Sequence, residues 1–156
     1  MYTVLPVLHV MGMMLLFFGV TYLMPIASSL IYQDGTTWQF VDALAFCLAC
    51  GSILVLLTRR FRRELKPRDG FLLVTLAWVL MAAIATVPLI LVIDDLSFTD
   101  AFFETMSGLT TTGATVLTGL ENLPESVNLW RHELNWLGGM GIIVLAVAIL
   151  PLLGVG

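Results

Sequence analysis

Phe98-Thr99-Asp100-Ala101-Phe102-Phe103-Glu104-Thr105-Met106-Ser107-Gly108-Leu109-Thr110-Thr111-Thr112-Gly113-Ala114-Thr115 is the stretch on which the fold turns. It lies in a link of about 35 residues between two apolar runs, far longer than the usual connection of about 4–6 residues. Residues 105–120 carry no formal charge, yet they are too short to cross a bilayer core, which takes about 20 helical residues. Six threonines (105, 110, 111, 112, 115, 118) and three glycines (108, 113, 119) crowd this segment. Ser97 or Thr99 can cap a helix, and Asp100 or Glu104 favours its first turns. Phe98, Phe102, Phe103 and Met106 recur at helical spacing as one apolar face. The reading is a short helix over 98–107, stopped at Gly108, then an irregular segment at 110–115 that enters the membrane and returns.

Non-helical backbone at membrane depth is tolerated only where protein covers it or it lines a polar cavity. An irregular strand with Gly113 in it can turn successive carbonyl oxygens to one side, because glycine reaches left-handed conformations that a Cβ disfavours. Rings of such oxygens can replace the hydration shell of a monovalent cation, and the negative C-terminal end of the short helix would face the same place. Thr-Thr-Gly-Ala-Thr is a loose echo of the Thr-Val-Gly-Tyr-Gly filter. An extracellular Thr/Gly loop without a role is the plainer alternative.

The flanking sequence is that of a membrane protein. Of the 156 residues, 59% are hydrophobic and 12% charged, with mean hydropathy +0.99. No water-facing fold of this size could cover so much apolar surface, which excludes an ordinary cytosolic enzyme, a nucleic-acid binder and a disordered chain. Spans are expected over 4–32, 38–58, 70–93 and 134–156. Pro25 is expected to kink the far end of the first, and Trp130 and Trp136 to mark the outer edge of the last. Six of the seven basic residues fall together, as Arg59, Arg60, Arg62, Arg63, Lys66 and Arg68. By the positive-inside rule this loop and both termini face the cytoplasm. Asp34, Asp42, Asp94, Asp95, Asp100, Glu104, Glu121, Glu125 and Glu133 then lie outside, either as a cation-attracting mouth or merely because outer loops lack basic residues.

Other residues read more plainly. Cys47 and Cys50 form a CxxC inside an apolar run, with no second ligand pair, and are taken as two small apolar side chains. His9 is expected to be a neutral, hydrogen-bonded histidine near the inner interface rather than a proton relay. Gly138, Gly139 and Gly141 are expected to let the last span pack closely against the short helix. Arg131, His132 and Glu133 suggest a local ion pair or a headgroup contact. No Ser/His/Asp or Cys/His set, no His-Glu-x-x-His and no phosphate-binding glycine loop is visible, so no enzyme is expected.

The opening stretch resembles the first pore loop of the Trk-type potassium uptake proteins (TrkH). So do 136–151, Trp-Leu-Gly-Gly-Met-Gly-Ile-Ile-Val-Leu-Ala-Val-Ala-Ile-Leu-Pro, and Leu65-Lys66-Pro67-Arg68-Asp69-Gly70-Phe71. The resemblance implies an all-α integral membrane protein in which two leading helices precede four helix–pore-loop–helix repeats. Here 1–58 would be the leading pair, 59–69 a cytoplasmic basic loop and 70–156 the first repeat, with spans about 70–93 and 130–156. It implies a filter at 110–115. Backbone carbonyls of Thr111, Thr112, Gly113 and Ala114 would line it, Thr110 and Thr115 would support it, and potassium would sit at Thr111 and Thr112. It further implies a bacterial inner membrane, contact with lipid, dimers of the complete subunit, and gating by a cytoplasmic nucleotide-binding ring protein (TrkA-like). One loop cannot surround an ion. The chain is therefore expected to be a fragment or truncated product that works with the remaining repeats, with symmetric assembly of several copies as the alternative. The rival function is a small non-conducting membrane protein that docks with or regulates a transporter.

Overall fold

A computed structural model describes residues 4–61 and 66–149, with the side chains of 67, 68 and 144–149 left aside. Among the described residues there are helices and no strands: α1 (Val4–Phe18), α2 (Leu23–Tyr32), α3 (Thr37–Thr58), α4 (Pro67–Val92), α5 (Phe98–Leu109) and α6 (Glu125–Ile149). This is the all-α membrane architecture expected. Three helical stretches are long and apolar enough to cross a membrane, Val4–Tyr32, Thr37–Phe61 and Asp69–Val92. The expected last span, 134–156, runs past the described residues at its end.

In the first of these stretches the helix past Pro25 is continuous to Tyr32. A 3-10 segment, Gly19–Tyr22, joins α1 to α2 just before Pro25. A proline ring crowds the carbonyl four residues back, here Thr21, so the irregularity falls upstream of the proline. Pro88 in α4 has a parallel effect. It cannot donate to Ile84 O, and the Tyr22 hydroxyl donates to that oxygen instead, at 3.2 Å.

α1 and α3 approach through two glycines. A Cβ on Gly12 would lie 3.0 Å from Gly51 O, and one on Gly51 would lie 3.1 Å from Gly12 O. In lipid, where apolar burial does not drive helices together, such close backbone contact is a main source of association. At one end of this pair His9 Nδ1 lies 3.0 Å from Thr58 Oγ1, and the Thr58 hydroxyl donates to Leu54 O, so His9 is the donor. It is a satisfied histidine, as expected. Cys47 and Cys50 are free thiols, and Cys47 donates to Leu15 O.

Trp130 does not mark an interface. It is 0% exposed, with its ring centroid 4.5 Å from that of Tyr22, 5.9 Å from Phe18 and 6.2 Å from Phe40. Its indole N–H donates to Ala85 O. Sequence position alone placed it at the edge; the face of α6 turned toward Phe18, Tyr22, Phe40 and Ala85 places it in the core. Trp136, on another face, is 61% exposed.

The turn between α2 and α3 holds α6 in place. Asp34 accepts from Ser29 Oγ at 2.6 Å, from Thr36 N at 3.2 Å and, across 92 residues, from Ser126 N at 3.0 Å. Ser126 N–H is one of the unpaired donors in the first turn of α6, so Asp34 caps that helix from a distance. Partial burial alone would raise the Asp34 carboxyl; the donors from Ser29, Ser126 and Thr36 outweigh it and hold the group well below the usual carboxylate range.

Candidate cation-coordinating loop

α5 begins at Ser97, whose Oγ accepts from Asp100 N at 3.1 Å. The helix buries its small and polar side: Ala101, Glu104, Thr105, Ser107 and Gly108. Phe98 and Phe103 face outward, 59% and 44% exposed, and Phe98 stacks on Phe102. Phe102 and Met106 of the apolar face are half-buried against the core, so that face is only partly packed. Thr105 reaches Ala82 O on α4 at 2.9 Å.

Gly108 does not stop the helix, which runs on to Leu109. Its missing side chain serves packing instead, since a Cβ there would lie 3.1 Å from Leu134 Cβ on α6. The carbonyl end of α5 is pinned from two sides. Trp78 Nε1 of α4 donates to Leu109 O at 3.2 Å, and a Cβ on Gly138 of α6 would lie 2.0 Å from the same oxygen. Gly138 packs against the short helix as its composition suggested. Gly141 lies against Trp78, and Gly139 near Thr111.

The chain then reverses through two left-handed residues, Thr111 (φ 57°) and Gly113 (φ 74°). Glycine at 113 was expected. The β-branched threonine at 111 was not, since such residues seldom occupy this region without strain. Thr112 N donates to Ser107 O at 2.9 Å and Gly113 N to the same oxygen at 3.5 Å. In a trans peptide the C=O points opposite to the N–H that follows it. The carbonyls of Thr111 and Thr112 are thereby turned away from the helix. Those of Thr111, Thr112 and Gly113 accept no hydrogen bond among the described residues. Ala114 differs: its carbonyl accepts from Ser107 Oγ at 2.7 Å and is turned back onto α5. Thr110 Oγ1 donates to Met106 O and lies 2.8 Å from Thr112 Oγ1, bracing the turn.

Further along, one buried carboxylate holds the returning strand. Glu104, 6% exposed, accepts at Oε1 from the Thr115 hydroxyl, from Val116 N at 2.6 Å and from Leu117 N at 3.3 Å. Its Oε2 accepts from both Nε and Nη2 of Arg131, each at 3.2 Å. Behind the strand lies a cavity of about 240 Å³ lined by Glu104, Ser107, Gly113, Thr115, Arg131 and Asn135. Sequence reasoning missed Glu104 and Ser107 as parts of the site and expected Arg131 to make a local ion pair or a headgroup contact, whereas it pairs with Glu104, 27 residues away. The available signal was a carboxylate in the middle of a helix whose other face carries the phenylalanines. Nor do the acidic residues simply form a mouth. Asp34 and Glu104 are bound inward, and Glu133 is buried with Oε2 unpartnered among the described residues.

Residues 36–156 match the TrkH family, described as a cation transport protein. The chain is 49% identical over 151 residues to the Trk system potassium uptake protein TrkH of Halomonas elongata, covering 96% of this chain and 31% of that one. It is 47% identical over 149 residues to the protein of the same name in Escherichia coli, covering 95% and 31%. The crystal structure of the potassium transporter TrkH from Vibrio parahaemolyticus superposes with a TM-score of 0.89 at 46% identity, over 97% of this chain and 33% of that one. The chain thus spans about a third of the length of these relatives.

Proposed function

The chain belongs to the TrkH family of cation transport proteins, and on that footing we propose that it supplies one quarter of a potassium-conducting pore. The observation that supports this is the pair of unpartnered oxygens at Thr111 and Thr112, aimed away from a helix whose carbonyl end is pinned behind them, with the Gly113 oxygen also unpartnered among the described residues. Carbonyl dipoles of this kind can stand in for water around potassium, while the negative end of α5 lowers the energy of a cation in front of it. Thr111 and Thr112 contribute the leading ligands. Ala114 can contribute only through the second lone pair of an oxygen already bound by Ser107. Thr110 and Thr115 support the turn.

In this reading residues 1–58 are a leading pair, 59–69 a cytoplasmic loop and 70–156 the first of four repeats. The remaining three quarters come from further repeats or from other copies of the chain. The complete subunit is a dimer in a bacterial inner membrane, both ends of residues 1–156 face the cytoplasm, and a TrkA-like nucleotide-binding ring gates the subunit.

The test is potassium uptake by liposomes holding either this chain alone or the complete four-loop assembly. The assembly is expected to carry potassium selectively, and the chain alone to be silent. Gly113→Val in the assembly is expected to abolish selective uptake, because a β-branched residue cannot hold that backbone without strain. Selective uptake retained in Gly113→Val overturns the proposal.

A further inference from the structure

We infer that Glu104 and Arg131 are positioning residues that aim a second pair of cation-facing oxygens, the carbonyls of Thr115 and Val116. This rests on the reading of the loop as a quarter filter. The geometry follows from peptide planarity. Val116 N–H points at Glu104 Oε1, and Leu117 N–H is shared between that oxygen and Thr115 Oγ1, which itself donates to Glu104 Oε1. The carbonyls that precede them in the same trans peptide units, Thr115 O and Val116 O, therefore point the other way, to the exposed side of the strand. Neither accepts a hydrogen bond among the described residues. They stand beyond the Ala114 carbonyl, which faces backward, so the strand presents two separated stations: Thr111 with Thr112, then Thr115 with Val116.

Arg131 has an electrostatic part to play. A buried carboxylate directly behind a cation station would attract the ion as a full charge. The guanidinium fork, with two donors on Oε2, neutralises that charge and keeps Glu104 oriented. The station then acts through dipoles, strong enough to admit a cation and weak enough to release it. Glu104 is nearly inaccessible from solvent, so its charge is poorly screened and its compensation matters.

The two partners therefore carry opposite signs in a transport assay, which a purely structural contact would not. In the complete assembly reconstituted in liposomes, Arg131→Gln leaves the carboxylate uncompensated. The expected result is a half-saturating potassium concentration lowered by on the order of tenfold, together with a slower maximal rate. Glu104→Gln leaves the guanidinium uncompensated and is expected to raise the half-saturating concentration by a similar factor. The double variant is expected to return close to the wild-type value. If a single variant fails to assemble, Arg131→Lys keeps the charge without the fork and is expected to hold half-saturation near wild type while loosening selectivity between potassium and sodium. A wild-type assembly that carries no potassium overturns the quarter-filter reading itself. A conducting wild type whose variants shift half-saturation in the same direction, or not at all, overturns this inference alone.

Discussion

Gly138 on α6 lies so close to Leu109 that a Cβ added there would stand 2.0 Å from the Leu109 carbonyl oxygen. That oxygen is also the acceptor for Trp78 Nε1. The carbonyl end of the short helix, and with it the start of the turn at 110–113, is set by where α6 passes. Gly138→Ala is expected to push α6 away, break the Trp78 bond and lower stability by about 1–3 kcal/mol, the usual range for overpacking. Gly139→Ala, whose Cβ would meet only Thr111 Cγ2 at 3.7 Å, is expected to melt near the wild-type temperature. Thermal unfolding of both variants in detergent checks the contrast.

Thr111 and Gly113 share left-handed backbone but differ in what they have to lose there. A non-glycine residue in this region bears about 1–2 kcal/mol of strain, while introducing glycine costs about 0.4–1 kcal/mol through the unfolded chain. Thr111→Gly is expected to gain up to about 1 kcal/mol of stability, and Gly113→Ala to lose about as much, since open space around Gly113 leaves only the backbone cost. Chemical denaturation of the two variants, compared with wild type, gives the signs directly.

Asp34 predicts a pH effect. Its carboxyl is held below the ordinary aspartate value, so its stabilisation is complete above about pH 4 and is lost as the pH falls through the lower, folded-state value. Asp34→Asn keeps the shape and removes the charge. At neutral pH the variant is expected to be less stable by about 1–3 kcal/mol, as for hydrogen bonds to a charged group. As the pH falls below about 4 toward the lower, folded-state value, the gap between the two proteins is expected to narrow progressively. A gap that stays constant down to acid pH would show that the cap on Ser126 acts through shape and not through charge.

Much of this was legible in the residues. Long uncharged runs required membrane helices. The short uncharged segment at 105–120 could not span, so it had to turn back. Gly113 marked where the backbone would be left-handed. What stayed hidden depended on which face of a helix meets a neighbour. Periodicity showed an apolar stripe on α5 without showing which side packs; Glu104, Thr105 and Gly108 are buried, because small side chains let α4 and α6 come close and polar ones bind the returning strand. Trp130 entered the core for the same kind of reason. Pairings across 92 residues, as between Asp34 and Ser126, or across 27, as between Glu104 and Arg131, leave no mark on local spacing.

The most direct measurement is the position of a heavy potassium mimic, thallium or rubidium, located by anomalous scattering in crystals of the complete four-loop assembly. Ion density touching the carbonyl oxygens of Thr111 and Thr112 is the result expected. Density on the pore axis with those oxygens turned away, bonded to protein or water instead of to the ion, would contradict the account.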